Sequence, residues 1–156
     1  MSRMMCGLRM VISIGVVLLL AVGCSNPTSD HYPTLADARA GKLFERGWLP
    51  DILPPSAHAI RVVNNLDTNI SFGSFDFSEN EAEAFFGRLV AGAPEDSPYV
   101  RWPDITRDYA ERGYSDWSYQ QGEYVWGFFC TLHRDHCQYL LWTRREERAK
   151  PQGGQP

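Results

Sequence analysis

Glu123-Tyr-Val-Trp-Gly-Phe-Phe-Cys-Thr131, then Leu132-His-Arg-Asp135, then His136-Cys-Gln-Tyr-Leu-Leu-Trp-Thr143 is the stretch that decides the fold. Two runs rich in aromatic and aliphatic residues flank a short polar segment, the pattern of two antiparallel strands and their turn. A four-residue loop at 132–135 sets Cys130 opposite Cys137 with both side chains on one face. Directly opposed residues of an antiparallel pair stand about 4.5–5.5 Å apart at Cα, within the range a disulfide accepts. A structural disulfide is therefore expected. The rival reading places the two thiols with His133 and His136 around a metal ion; it is set aside because zinc sites use shorter Cys spacings and ligands on a tight hairpin converge poorly.

Working upstream, residues 59–65 and 70–77 are again β-like, and Asn64-Asn-Leu-Asp-Thr-Asn69 between them is dense in turn formers. Asn65, Asp67, Asn69 and Asp76 take four ligand places of a calcium loop. Ile70 stands where that loop needs glycine and strands flank it, so a plain turn is expected. Ser78 with Glu81 forms an S-x-x-E box, and Ala82, Phe85, Phe86, Leu89 and Val90 recur at helical spacing, predicting a helix over 79–91. Thr34 with Asp37 approximates a second box and predicts a helix over 34–46. Between 34–46 and the first hairpin, residues 48–55 hold three prolines and read as a buried extended crossing. Residues 93–122 read as a long irregular connection with one helical turn near 105–112. The expected fold is α+β: a small, mostly antiparallel sheet of four to five strands with two helices packed on it. The expected domain spans 34–143, preceded by a flexible tether at 24–33 and followed by a disordered polar tail at 144–156.

The N-terminus carries Arg3 and Arg9 and then an uncharged run over 11–23. That run is shorter than the roughly 20 apolar residues a bilayer span needs, and fits a secretory signal. Leu19-Leu20-Ala21-Val22-Gly23-Cys24 resembles the lipobox of bacterial lipoproteins. The resemblance implies cleavage after Gly23, removal of the 1–23 signal peptide, acylation of Cys24, and membrane attachment through its acyl chains. Ser25, rather than Asp, follows the cysteine, which in that family implies export to the outer membrane of a cell that has one. Export supplies the oxidising compartment in which the Cys130–Cys137 bridge persists.

The chain has 15 Lys+Arg against 19 Asp+Glu, a net charge of -4 that becomes -6 once Arg3 and Arg9 leave with the signal. No basic surplus exists to displace phosphate counterions, so no nucleic-acid partner is expected. No nucleophile elbow, H-E-x-x-H or phosphate-cradling loop is present, and no cofactor or metal is expected. All 20 Phe, Trp and Tyr follow Cys24, and 12 of them fall between Tyr99 and Trp142. An aromatic core accounts for most of them. The sharper expectation is a stacking cleft built by Trp102, Tyr109, Tyr114, Trp117 and Tyr119 from the irregular connection. Three functional classes follow: a non-enzymatic module binding an envelope protein or small molecule, a small hydrolase using Asp67, Asp104 or Asp116, and a purely structural envelope protein.

Gly47-Trp48-Leu49-Pro50, Leu53-Pro54-Pro55-Ser56-Ala57-His58-Ala59-Ile60, Asp67-Thr68-Asn69 and Phe75-Asp76-Phe77 together resemble small uncharacterised exported bacterial lipoproteins. That resemblance implies a compact α+β exported domain and carries over no catalytic residue.

Overall fold

In strand β6 (Tyr124–Thr131) every residue from Val125 to Cys130 is buried, a run that only a strand covered on both faces can have. The computed structural model describes residues 28–66, 68, 70–94, 102–131, 133 and 135–144. The signal, Cys24, Asp67, Asn69 and the tail beyond 144 lie outside the described residues. The elements run β1 (Thr28–Thr34), α1 (Leu35–Ala40), β2 (His58–Asn65), β3 (Ile70–Asp76), a 3-10 turn (Glu79–Glu81), α2 (Ala82–Phe86), β4 (Val90–Ala91), α3 (Trp102–Glu111), β5 (Tyr114–Gln121), β6 and β7 (His136–Thr143). Seven strands form one sheet in the order β1-β2-β3-β7-β6-β5-β4, with every neighbouring pair antiparallel.

The expectation of four to five strands carrying two packed helices is corrected by this sheet: the domain is mostly β and its helices are short. Residues 28–33, read as tether from their two flanking prolines, pair with β2 from Thr28 opposite Asn64 to Thr34 opposite His58. Pro33 is tolerated because β1 is an edge strand, where a missing ladder donor costs little. The polar alternation of Tyr114-Ser-Asp-Trp-Ser-Tyr-Gln-Gln121 concealed β5, which pairs along its whole length with β6. The helix expected over 79–91 stops at Gly87, and Val90 turns back into β4 against Ser118. Its box is not made: the Ser78 hydroxyl bonds Asn80 instead, and Glu81 faces another partner described below. The Thr34–Asp37 box does form, with the Asp37 N–H donating to Thr34 Oγ1 at 3.2 Å and the Thr34 N–H to Asp37 Oδ2 at 3.1 Å. That helix nevertheless closes at Gly41 rather than reaching residue 46.

Side chains alternate across a strand. Trp126, Phe128 and Cys130 of β6, with Cys137, Tyr139 and Leu141 of β7, enter a main core shared with Ala38, Leu43, Trp48, Leu49, Ile52 and Leu53. Phe85 seats α2 there: its ring meets Phe75, Phe77 and Phe128 edge-on at 5.9, 5.4 and 5.8 Å. Such edge-to-face pairs each add about 0.5–1.5 kcal/mol beyond the area they bury. The opposite parity, Val125 and Phe129 with Leu140 and Trp142, meets α3 in a second core. Pro103 sits in the first turn of α3, where its missing N–H is no loss. Trp102 opens that helix and lies 5.4 Å from Phe129 and 5.6 Å from Trp142, ring to ring.

Gly127 is what lets Trp102 lie flat on the sheet. A Cβ at that position would stand 2.3 Å from Trp102 Cη2 and 2.9 Å from Cζ2. Gly127→Val should therefore push the indole off β6 and destabilise the domain by about 1–3 kcal/mol, the usual range for overpacking. The check is the urea midpoint, which should fall without a change in the Cys130–Cys137 bridge.

Candidate functional site

Three segments that pack on the main core meet to form a groove. α1 supplies Leu35, Ala36 and Arg39; the proline-rich crossing supplies Asp51 to Pro55; α2 and the residue pair after it supply Ala84, Phe85 and Arg88, with Glu81 at one end. The groove is open to solvent and its volume is about 790 Å³. Ile52, Leu53 and Phe85 make an apolar floor, and all three are buried. The crossing holds its shape because Trp48, Leu49 and Pro50 anchor it in the core, as its composition predicts. Backbone bonds from Leu35 N to Ala57 O (3.0 Å) and Ala57 N to Pro54 O (2.9 Å) fix its exit beside α1.

The charged groups at the rim are not equivalent. Asp51 Oδ2 accepts from Gln121 Nε2 at 3.1 Å. Glu81 Oε2 accepts from the Ser56 hydroxyl at 2.6 Å and the Ser56 N–H at 3.0 Å, and Ser56 Oγ in turn accepts from the Ser78 N–H at 2.9 Å. These two donors favour the carboxylate and hold Glu81 below the usual glutamate value, against a small opposing effect of desolvation. The Arg39 guanidinium lies over the Phe44 ring at 4.2 Å. Arg88 is exposed and has no ion-pair partner among the described residues. Both acids are thus engaged within the protein while the two arginines stay open to an anion.

The five aromatic residues expected to converge are divided between the faces of the sheet. Trp102 is buried under α3, Tyr109 stacks on Phe129 at 4.0 Å and 10°, and Tyr114 meets Tyr109 edge-on at 5.4 Å. Tyr109 also donates its hydroxyl to Gln138 Oε1 at 2.6 Å. Trp117 and Tyr119 pack on the other core, against Phe86 and Trp126. They act as packing residues and build no common cleft. Of the acids weighed for hydrolysis, Asp104 pairs with Arg107 on α3 at 2.8 Å and Asp116 lies on β5 opposite Phe129.

Cys130 and Cys137 are joined, with Cα atoms 4.1 Å apart and no exposure of either residue, which fulfils the register read from the hairpin. Among the described residues no three His, Cys, Asp or Glu side chains stand together as metal ligands. Sequence reasoning missed the contact between His136 Nδ1 and Asp76 Oδ1. It follows from β3 pairing with β7, which places Asp76 beside His136 on one side and His58 on the other. Hairpin patterns reveal which strands are joined by turns and carry no signal for which hairpins lie side by side. The groove was missed for the same reason, since it is made by segments far apart in the chain.

Fold and groove together define an antiparallel β-sheet domain, covered on both faces at β6 and β7, with an apolar, arginine-rimmed groove. The family model described as the YbbD head domain matches residues 27–76, which run from the edge strand through the proline-rich crossing to the end of β3. No curated protein and no solved structure matches the chain.

Because the folded-state Glu81 lies below its ordinary value of 4.5, its bonds to Ser56 stabilise the fold fully above that value and are lost as pH falls through the lowered one. The stability difference between wild type and Glu81→Gln should accordingly be largest near neutrality and shrink below pH 4.5. Urea titrations at several pH values check this, and a difference that is constant down to pH 2 would contradict it.

Proposed function

We propose that this is a lipid-anchored cell-envelope protein, held by acyl chains on Cys24 and acting as a non-enzymatic binding module. In a cell with two membranes its place is the outer membrane, facing the periplasm. The observation that carries the binding role is the groove between α1, the proline-rich crossing and α2. A buried apolar floor with few charged groups at its edge is the usual form of a ligand site, and about 790 Å³ falls within the usual range for one. With Asp51 and Glu81 already engaged, the groove favours a ligand or partner segment that is apolar along its length and anionic at one end.

Anilinonaphthalene sulfonate, an apolar ring system with a single anionic group, is a suitable probe. It should bind saturably, and Arg88→Glu should weaken it about tenfold, the value of one charge-assisted contact. Ala84→Trp, at an exposed position on the groove wall, should fill the space and abolish the binding. Fluorescence titration reads both, and equal affinity in wild type and both variants would remove the groove as the site.

A further inference from the structure

The chain enters the sheet at a definite end. Thr28 opposes Asn64, Asn65 opposes Ile70, Ser71 opposes Leu141, and Tyr124 opposes both Thr143 and Gln121. The start of β1, the β2–β3 turn and the end of β7 therefore share one end of the sheet, and the Asp76–His136 pair lies at the other. At the first end Leu66 is 72% exposed and Phe72 is 48% exposed. Ile70 and Phe72 share one face of β3, and Val63 stands opposite Phe72 on β2. This is the face on which α3 packs, but α3 covers Val125, Phe129 and Trp142, and neither core includes Val63, Ile70, Leu66 or Phe72.

We infer that this end of the sheet rests on the bilayer, with Leu66 entering the boundary between headgroups and acyl chains and Ile70 and Phe72 following behind it. The inference rests on the lipidation of Cys24 proposed above. Four residue steps separate Cys24 from Thr28, a span of at most about 14 Å even when fully extended. Strand β1 thus leaves little of the expected tether, and the acyl anchor holds the β2–β3 turn close to the lipid. Grouped exposed apolar side chains mark a partner or a membrane, and the short link makes the membrane the surface at hand. Ile70 and Phe72 are about 7 Å apart along the strand. That matches the roughly 5–10 Å to which interfacial elements bury their apolar faces. Arg61, exposed on the same face two residues beyond Val63, comes at the level where a phosphate headgroup would meet it.

The test uses the full chain carrying Leu66→Cys, labelled with nitrobenzoxadiazole and reconstituted into phosphatidylethanolamine–phosphatidylglycerol vesicles. Glu111→Cys, exposed at the opposite end of the sheet, serves as reference. With Cys24 acylated and Cys130 bonded to Cys137, the introduced thiol is the one that takes the label. The label at position 66 should shift its emission to the blue, be quenched by acyl-brominated lipid and be shielded from iodide; the label at 111 should do the reverse. Co-flotation with vesicles together with a fully iodide-accessible label at 66 overturns the inference and leaves the anchor standing. Failure to co-float, with Cys24 itself taking label, overturns the anchor and the inference with it. Shielding at 66 that fades when the protein is diluted within the membrane identifies a second copy as the occupant and likewise overturns it.

Discussion

The close approach of Trp102 to Gly127 is the contact on which the arrangement of the domain depends. It requires β6 to be an interior strand with a bare backbone at its middle, so that an indole can lie where a side chain would otherwise stand. Once that ring is seated, α3 is fixed over β6 and β7, and Phe129 and Trp142 are closed off from water. The other face of β6 is then free to present Trp126 and Phe128 to the main core. A strand apolar on both faces has no stable place at a sheet edge. β5 on one side and β7 on the other follow as its partners, with the more polar β1 and two-residue β4 left as edges.

How much of this was legible in the sequence can be traced residue by residue. The β6–β7 hairpin was legible to the exact register because Cys130, the polar turn and Cys137 constrain one another within a few positions. The first hairpin was legible because Asn and Asp residues crowd its turn. The proline-rich crossing was legible as buried chain because Trp48, Leu49, Ile52 and Leu53 alternate with residues that cannot form a helix or a central strand. Illegible were the features set by tertiary context. Ala82, Phe85, Phe86, Leu89 and Val90 have helical spacing, yet the helix that begins at Ala82 is ended at Gly87 by the return of the chain to β5. Ser78 and Glu81 have a capping spacing, yet Ser56, twenty-five residues before Glu81, offers that carboxylate two better-placed donors. Trp102, Tyr109, Tyr114, Trp117 and Tyr119 looked available to a ligand because a linear reading cannot assign them to opposite faces of a sheet.

The division of labour between the two faces bears on function. The face under α3 is closed by aromatic stacking at β6 and β7 and left open at β2 and β3, where Phe72 meets solvent beside half-buried Val63. The main-core face is closed by α1, the crossing and α2, and the seams between those three short elements leave the groove. Short helices suit that role. Each contributes a single buried turn, Ala38 in one and Phe85 with Phe86 in the other, and then ends, so the surface between them stays concave. The bonds between Glu81 and Ser56 tie the crossing to the start of α2, two of the three elements, at one end of the groove.

The functional reading depends above all on Cys24. Intact-mass analysis of the protein extracted in detergent from cell membranes tests it directly. The predicted result is a chain beginning at Cys24, carrying the diacylglyceryl group and an amide-linked acyl chain, and two hydrogens lighter than its reduced form because Cys130 and Cys137 are joined. A chain that begins elsewhere, or one that begins at Cys24 with no acyl mass, would contradict it.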